Sequence, residues 1–256
     1  MQPCASVNPG TVKPGHNALG KTLLGFLVFA STQALAGPAD KIYTPQVVKG
    51  ETEFELRGGY EDADRGANPY QFVFDVGYGV SDRWLTELVV KYEDAAPGGS
   101  ATISDLEWEN VLVLSEPGRY WLDFGLFSEL EYARASKDWE LKIGPMFEKV
   151  VGREQFNLNL LLEQKFVSGA NTELLYRGQW KHRAGRAFEY GLQAFGELGE
   201  IRQLGDQVEH KLGPAVFGSI DTGGNNRLGW DFAVLAGLNA AAPDLSLRFE
   251  LEFERY

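Results

Sequence analysis

Carboxylates recur at every second position along several segments of this sequence, and they are the side chains best placed to do chemistry. Glu107 and Glu109 form one such pair, and Glu129 and Glu131 form another. Side chains two residues apart point to the same face of a β-strand, so each pair places two negative charges on one surface. A surface of this kind attracts cations or water, or requires basic partners. We expect the following carboxylates to share an interior surface and to interact with cations: Asp75, Glu87, Asp105, Glu107, Glu109, Asp123, Glu129, Glu163, Glu173 and Glu189.

Basic residues are fewer on the same face of these segments. They are Arg57, Lys91, Lys142, Lys165, Arg177, Lys181, Lys211 and Arg248. Two interpretations therefore stay open: an interior filled by ion pairs, and a hydrated pathway that favours cations. Small solutes or small cations are the expected cargo of the second.

Catalysis and tight metal binding find little support in the residue types. A membrane-embedded lipid hydrolase would need a serine beside a histidine base, but only His182 and His210 follow residue 36, and neither Ser128 nor Ser219 clearly partners them. The single cysteine is Cys4 and methionines are scarce, so we predict no transition-metal site and no cofactor, although loose binding of calcium or magnesium by carboxylates stays open. The formal net charge of -12 argues against nucleic acid as a partner. We expect a protein that is not an enzyme.

The elements that position the carboxylates are segments of about ten residues with period-two alternation. Between Tyr120 and Tyr132, for example, Phe124 and Leu126 alternate with Gly125 and Glu129. About twelve such segments follow residue 50, an even number, as bacterial outer-membrane barrels require. We predict an all-β fold over residues 51–256: a transmembrane antiparallel up-and-down β-barrel of about twelve strands, apolar outside and acidic inside.

The connections between these segments alternate between tight and longer. Tight turns are predicted near residues 81–83, 116–118, 151–153, 184–186 and 221–226, and longer loops at 61–69, 94–101, 199–208 and 239–243. Short turns face the periplasm in such barrels, which places both chain ends there. A soluble β-sandwich would also alternate, but it would not need two rows of aromatic residues at the strand ends.

The first 36 residues have the features of a secretory signal peptide. They contain Lys13 and Lys21, no acidic residue, and an apolar run from Leu23 to Ala30 that is too short for a membrane helix. The small residues Ala34 and Ala36 predict cleavage before Gly37. Residues 37–50 would then form a periplasmic N-terminal segment ahead of the barrel.

The last strand resembles the assembly signal of Gram-negative outer-membrane barrels, because Leu247, Phe249, Leu251 and Phe253 alternate toward an aromatic residue near the chain end. Residues 254–256 break this phase. The resemblance implies the bacterial outer membrane as location, and outer-membrane lipids and the barrel-assembly machinery as partners.

Three short stretches carry a further resemblance: Tyr43-Thr44-Pro45, residues 55–60 (ELRGGY) and residues 78–84 (YGVSDRW). They are similar to a family of uncharacterised proteobacterial outer-membrane proteins, sometimes grouped with transporters. The likeness implies fold and location and supplies no activity. The function predicted on these grounds is a narrow channel or transporter with an acidic, cation-favouring lumen; the alternatives are a structural barrel with an ion-paired, plugged interior and, less favoured, the lipid hydrolase.

Overall fold

The structure is a computed structural model that describes residues 37–62, 70–94, 101–185, 187–205 and 208–256. The predicted signal peptide, residues 1–36, lies outside this described part. The strands are β1 (Thr52–Glu61), β2 (Tyr70–Ser81), β3 (Trp84–Asp94), β4 (Ala101–Val113), β5 (Asp123–Ala133), β6 (Asp138–Val151), β7 (Glu154–Lys165), β8 (Glu173–Gly185), β9 (Phe188–Glu200), β10 (Gln203–Leu204), β11 (His210–Gly223), β12 (Asn226–Gly237) and β13 (Leu245–Arg255).

Twelve of these strands form one closed antiparallel barrel. Each long strand hydrogen-bonds to the next along the chain, and β13 pairs with β1 from Thr52 opposite Arg255 to Glu61 opposite Ser246. The two-residue strand β10 pairs only with the end of β9, which itself continues the wall to β11. The prediction of an all-β up-and-down barrel is confirmed, and the soluble sandwich is wrong, because the sheet closes on itself and does not pack against a second sheet.

Side chains alternate between the two faces of the wall as the sequence pattern predicts. On β2, Phe72, Phe74 and Val76 are exposed on the outside, whereas Val73 and Asp75 are buried inside. An apolar exterior around a polar interior is the pattern of a barrel that stands in lipid. No helix among the described residues is long and apolar enough to cross a membrane.

The two ends of the barrel differ in their connections. We call the end with the turns at 82–83, 152–153 and 224–225 the tight-turn end, and the opposite end the loop end. Short turns face the periplasm in bacterial outer-membrane barrels, so the periplasmic position of the tight-turn end stays a prediction. Most of the predicted loops 61–69 and 94–101, at the loop end, lies outside the described residues.

One predicted strand boundary is wrong. The fifth strand starts at Asp123 and not at Tyr120. The backbone N–H groups of Leu114 and Ser115 both donate to the carbonyl oxygen of Phe124, and the Ser115 hydroxyl accepts from the Phe124 N–H at 2.9 Å. These bonds close a wider turn than the predicted three residues.

The final strand also extends further than its apolar pattern indicates. It continues to Arg255, which pairs with Asn226 on β12 and Thr52 on β1. Glu254 keeps the inward phase and is buried, and the Tyr256 hydroxyl donates to its carboxylate at 2.5 Å. Residues 254 and 255 therefore complete the ladder, while the role of Leu247, Phe249, Leu251 and Phe253 as an assembly signal stays a prediction.

Candidate functional site

The segment before β1 occupies the lumen of the barrel. At the tight-turn end, the Gly50 N–H donates to the carbonyl oxygen of Gly79 at 2.7 Å. At the loop end, Pro38 lies against Gly59, close to the end of β1. Residues 37–50, which we call the N-terminal segment, therefore run along the interior antiparallel to β1. The predicted position of these residues ahead of the barrel needs correction, because they lie inside it, while the side of the barrel that faces the periplasm stays a prediction.

Tyr43 anchors the N-terminal segment near the middle of the lumen. Its ring stacks on Phe127 with centroids 3.8 Å apart, and its hydroxyl donates to Glu109 at 2.9 Å. Asn159 on β7 accepts from the Tyr43 N–H at 2.8 Å and donates to the Tyr43 carbonyl oxygen at 2.9 Å. Tyr43 is 2% exposed and Asn159 is 0% exposed, so water competes with neither bond. One residue of the segment is thus fixed by three strands of the wall.

Charged residues of the segment bind opposite charges on the wall. Lys41 Nζ lies 2.6 Å from Glu55 Oε2 and 3.2 Å from Glu87 Oε1. Asp40 Oδ1 lies 3.2 Å from Arg177 Nη2, and Arg177 also donates to the Lys41 carbonyl oxygen at 3.0 Å.

These contacts set the ionisation of both segment residues. Burial acts to raise the pKa of the Asp40 carboxyl, but the combined attraction of Arg177, Lys142, Lys91 and Lys211 outweighs it, and the net pKa is lowered. Burial acts to lower the pKa of the Lys41 ammonium, but Glu55 and Glu87 raise that pKa well above its usual value. Both side chains are therefore charged at neutral pH.

Small residues on the inner wall make room for the segment. A Cβ on Gly79 would overlap the carbonyl oxygen of Val48, and a Cβ on Gly59 would overlap that of Pro38. A Cβ on Gly125 would lie 3.1 Å from the Pro45 Cβ. Gly59 and Gly79 need glycine because the segment passes directly over them, whereas at Gly125 the carbonyl oxygen of Leu112 in the wall lies closer than Pro45.

The wall around the segment is rich in charge, and acids outnumber bases. Fourteen buried acidic residues are described: Glu51, Glu53, Glu55, Asp75, Glu87, Glu107, Glu109, Glu129, Glu140, Glu148, Glu163, Glu197, Glu209 and Glu254. Five buried basic residues accompany them: Arg57, Lys142, Arg177, Lys211 and Arg248. Burying so many carboxylates is costly unless cations or protons compensate them.

Ion pairs within strands, between neighbouring strands and across the lumen compensate part of this charge. They join Arg57 to Glu55 and Asp75, Lys91 to Glu107 and Glu131, Lys142 to Glu129 and Glu163, Lys211 to Glu61 and Glu209, and Arg248 to Asp231 and Glu250.

The predicted site residues separate into two groups. Six of them are buried on the inner wall: Asp75, Glu87, Glu107, Glu109, Glu129 and Glu163. The other four are only partly buried: Asp105, Asp123, Glu173 and Glu189. Of these four, Asp123 accepts from the Gly118 N–H at 2.8 Å in a turn, and Glu189 pairs with Lys181 at 3.6 Å.

Three inner carboxylates come close enough to share an ion. Oxygens of Glu107, Glu129 and Glu131 lie within 4.8 Å of one another. The ammonium of Lys91 contacts Glu107 and Glu131, and that of Lys142 lies 3.0 Å from Glu129. Two lysines thus supply the positive charge that a metal ion would bring to this cluster.

A small cavity lies beside the segment. A cavity of about 10 Å³ lies between Tyr43, Arg57, Glu109, Glu129 and Arg177. A volume of this size holds about one water molecule. In the described part of the lumen, the N-terminal segment and the ion pairs close the interior around Tyr43.

The two histidines have other partners than a nucleophile. His182 Nδ1 lies 2.7 Å from Glu154 Oε1, and His210 Nδ1 lies 3.1 Å from the Tyr176 hydroxyl. Among the described hydrogen bonds, neither histidine contacts a serine. This geometry adds no support for the lipid hydrolase.

Solved structures with the same fold are outer-membrane channels and porins. No protein-family model and no curated protein matches the sequence. An outer-membrane channel from Pseudomonas putida F1 superposes with a TM-score of 0.56 at 12% identity, covering 84% of this chain and 99% of that one. The NanC porin superposes with a TM-score of 0.52 at 10% identity, covering 79% of this chain and 99% of that one. The KdgM porin in complex with disordered oligogalacturonate also superposes with a TM-score of 0.52 at 10% identity, covering 80% of this chain and 98% of that one. The chain therefore has the fold of an outer-membrane β-barrel.

Two predicted site residues, Glu87 and Glu109, contact the segment, but Lys41, Tyr43 and Asn159 are absent from the predicted site. Lys41 and Tyr43 precede the first predicted strand, and Asn159 is uncharged, so a pattern of carboxylates does not include it. The signals that point to them are indirect: an acid surplus that lacks cations, and glycines at inward positions such as Gly59 and Gly79.

Proposed function

We propose that this protein is a narrow outer-membrane channel whose lumen favours small cations, and that the N-terminal segment closes it in the state described. The observation that carries the proposal is the excess of buried carboxylates on the inner wall. A low-dielectric wall concentrates the field of these charges in the lumen, which raises the local concentration of cations over anions. Export through a cleaved signal at residues 1–36 and insertion by the barrel-assembly machinery belong to the same proposal.

A second candidate is a structural barrel whose interior stays filled. The small cavity beside Tyr43 and the ion pairs between wall residues favour it, because buried side chains and the N-terminal segment fill the interior at that level. The two candidates differ in conductance. A channel conducts when the N-terminal segment leaves the lumen, whereas a structural barrel does not need the segment to leave in order to fulfil its role.

Planar bilayer recording separates the candidates. We compare the full chain with a variant that lacks residues 38–47, and we use heat-dependent gel mobility to show that both barrels are folded. The channel proposal predicts larger conductance for the deletion variant, and a reversal potential in a KCl gradient that favours potassium. A folded deletion variant without conductance would support the structural barrel.

A matched pair of substitutions tests the origin of the selectivity. Glu109→Gln in the deletion variant removes one charge from the middle of the lumen, and we expect a weaker preference for potassium. Glu116→Gln changes an exposed carboxylate in a turn and is expected to leave the preference unchanged. A reversal potential that favours chloride in the deletion variant would contradict the proposed selectivity.

A further inference from the structure

The N-terminal segment places an alkylammonium group in a pocket of the barrel wall. The pocket consists of Glu55 on β1 and Glu87 on β3, which bind Lys41 Nζ at 2.6 Å and 3.2 Å. Both carboxylates are about 1% exposed. The cation belongs to a segment that is not part of the wall, so the wall itself carries a site that is complete apart from its ammonium.

The pocket has an unused acceptor. Glu87 Oε2 is buried and receives no hydrogen bond from the described residues. A primary ammonium has three N–H donors, so it can serve Glu55 and both oxygens of Glu87 if it is free of the segment's backbone.

The surroundings of the pocket suit an amine better than a metal ion. Arg57 Nε lies 2.7 Å from Glu55 and places a positive charge beside the pocket, which disfavours a divalent ion. Leu85 and Val89 flank Glu87 on the inner face of β3, and both are buried. A charged head beside carboxylates and an apolar stem beside these side chains match a short alkylammonium ion.

We infer that the Glu55–Glu87 pocket is a binding site for primary alkylammonium ions, which Lys41 occupies while the N-terminal segment is docked. This inference rests on the proposed function, because it names the class of cation that the lumen selects. The segment and a free amine then compete for the same two carboxylates.

Chemical rescue tests the inference without any measurement of ion flow. Lys41→Ala removes three carbons and the ammonium, which together correspond to n-propylammonium. The full chain with this substitution is titrated in detergent with n-propylammonium chloride, and with NaCl or tetramethylammonium chloride at equal ionic strength. We expect propylammonium alone to raise the thermal midpoint, saturably, and to restore at least half of the loss caused by the substitution.

Two controls define the site. Lys41→Ala combined with Glu87→Gln is expected to lose the rescue, and the unsubstituted chain is expected to show none. If Lys41→Ala folds only when propylammonium is present, the refolding yield becomes the readout. Equal effects of the three salts, equal rescue in the double variant, or failure to fold under every condition would each overturn the inference. The conductance of the deletion variant is measured separately from the rescue. The channel proposal can therefore be refuted while the alkylammonium site is supported, and the site can be refuted while the channel is supported.

Discussion

Tyr43→Ala tests whether the N-terminal segment is held in the lumen by the contacts described. The substitution removes the stacking on Phe127 and the hydrogen bond to Glu109. Truncating a buried aromatic side chain to alanine costs about 3–5 kcal/mol, and a hydrogen bond to a charged group accounts for about 1.5–3 kcal/mol within that range. Since about 1.4 kcal/mol corresponds to a factor of ten, the ratio of docked to undocked segment is expected to fall at least about 100-fold.

A thiol reporter measures this ratio directly. Ala39→Cys places a thiol at a position that is 2% exposed, in a chain whose other cysteine, Cys4, lies in the predicted signal peptide. A maleimide reacts with the reporter only when the segment leaves, so its labelling rate rises as docking weakens. Tyr43→Phe keeps the ring and is expected to raise the rate less than Tyr43→Ala. Tyr78→Ala, on the outer face, is the matched control. An equal labelling rate in the parent and in Tyr43→Ala would refute the anchoring role.

Three further substitutions test other parts of the structure. Gly79→Val would overlap the carbonyl oxygen of Val48, so we expect faster labelling of the thiol reporter; an unchanged labelling rate would contradict the close approach. Asn159→Leu removes two buried hydrogen bonds to the backbone of Tyr43 and is expected to weaken docking by about 2 kcal/mol, seen as labelling roughly tenfold faster or more. Leu160→Arg places a charge near the lipid midplane and is expected to destabilise the barrel by about 2–4 kcal/mol, measured by urea titration of heat-dependent gel mobility. An unchanged urea midpoint would show that Leu160 does not face lipid.

The barrel wall could be predicted because the alternation of apolar and polar side chains is local and repeats from strand to strand. On β2, the alternation of Phe72, Phe74 and Val76 with Asp75 assigns each residue to a face, and a shift by one residue would reverse every assignment. The same rule holds on β13, where Glu254 keeps the inward phase after the apolar pattern ends. The exact turn before β5 could not be predicted, because Ser115 and Phe124 close it through hydrogen bonds and not through a turn motif.

The position of the N-terminal segment could not be predicted from its own residues. It has no periodicity, and Tyr43 meets Asn159 across 116 residues of sequence. Nothing in the local pattern distinguishes a segment that enters the lumen from one that stays in the periplasm. The distinction depends on the shape of the closed barrel, in particular on the space that Gly59 and Gly79 leave free.

The attachment of the segment at Gly50 determines which end of the barrel holds the segment after release. Because the segment joins β1 at the tight-turn rim, it stays attached at that rim when it leaves the lumen, and the Pro38 region at the loop end is the part farthest from the attachment. In the proposed channel, release of the segment would therefore free the loop end of the lumen and leave the segment at the tight-turn end.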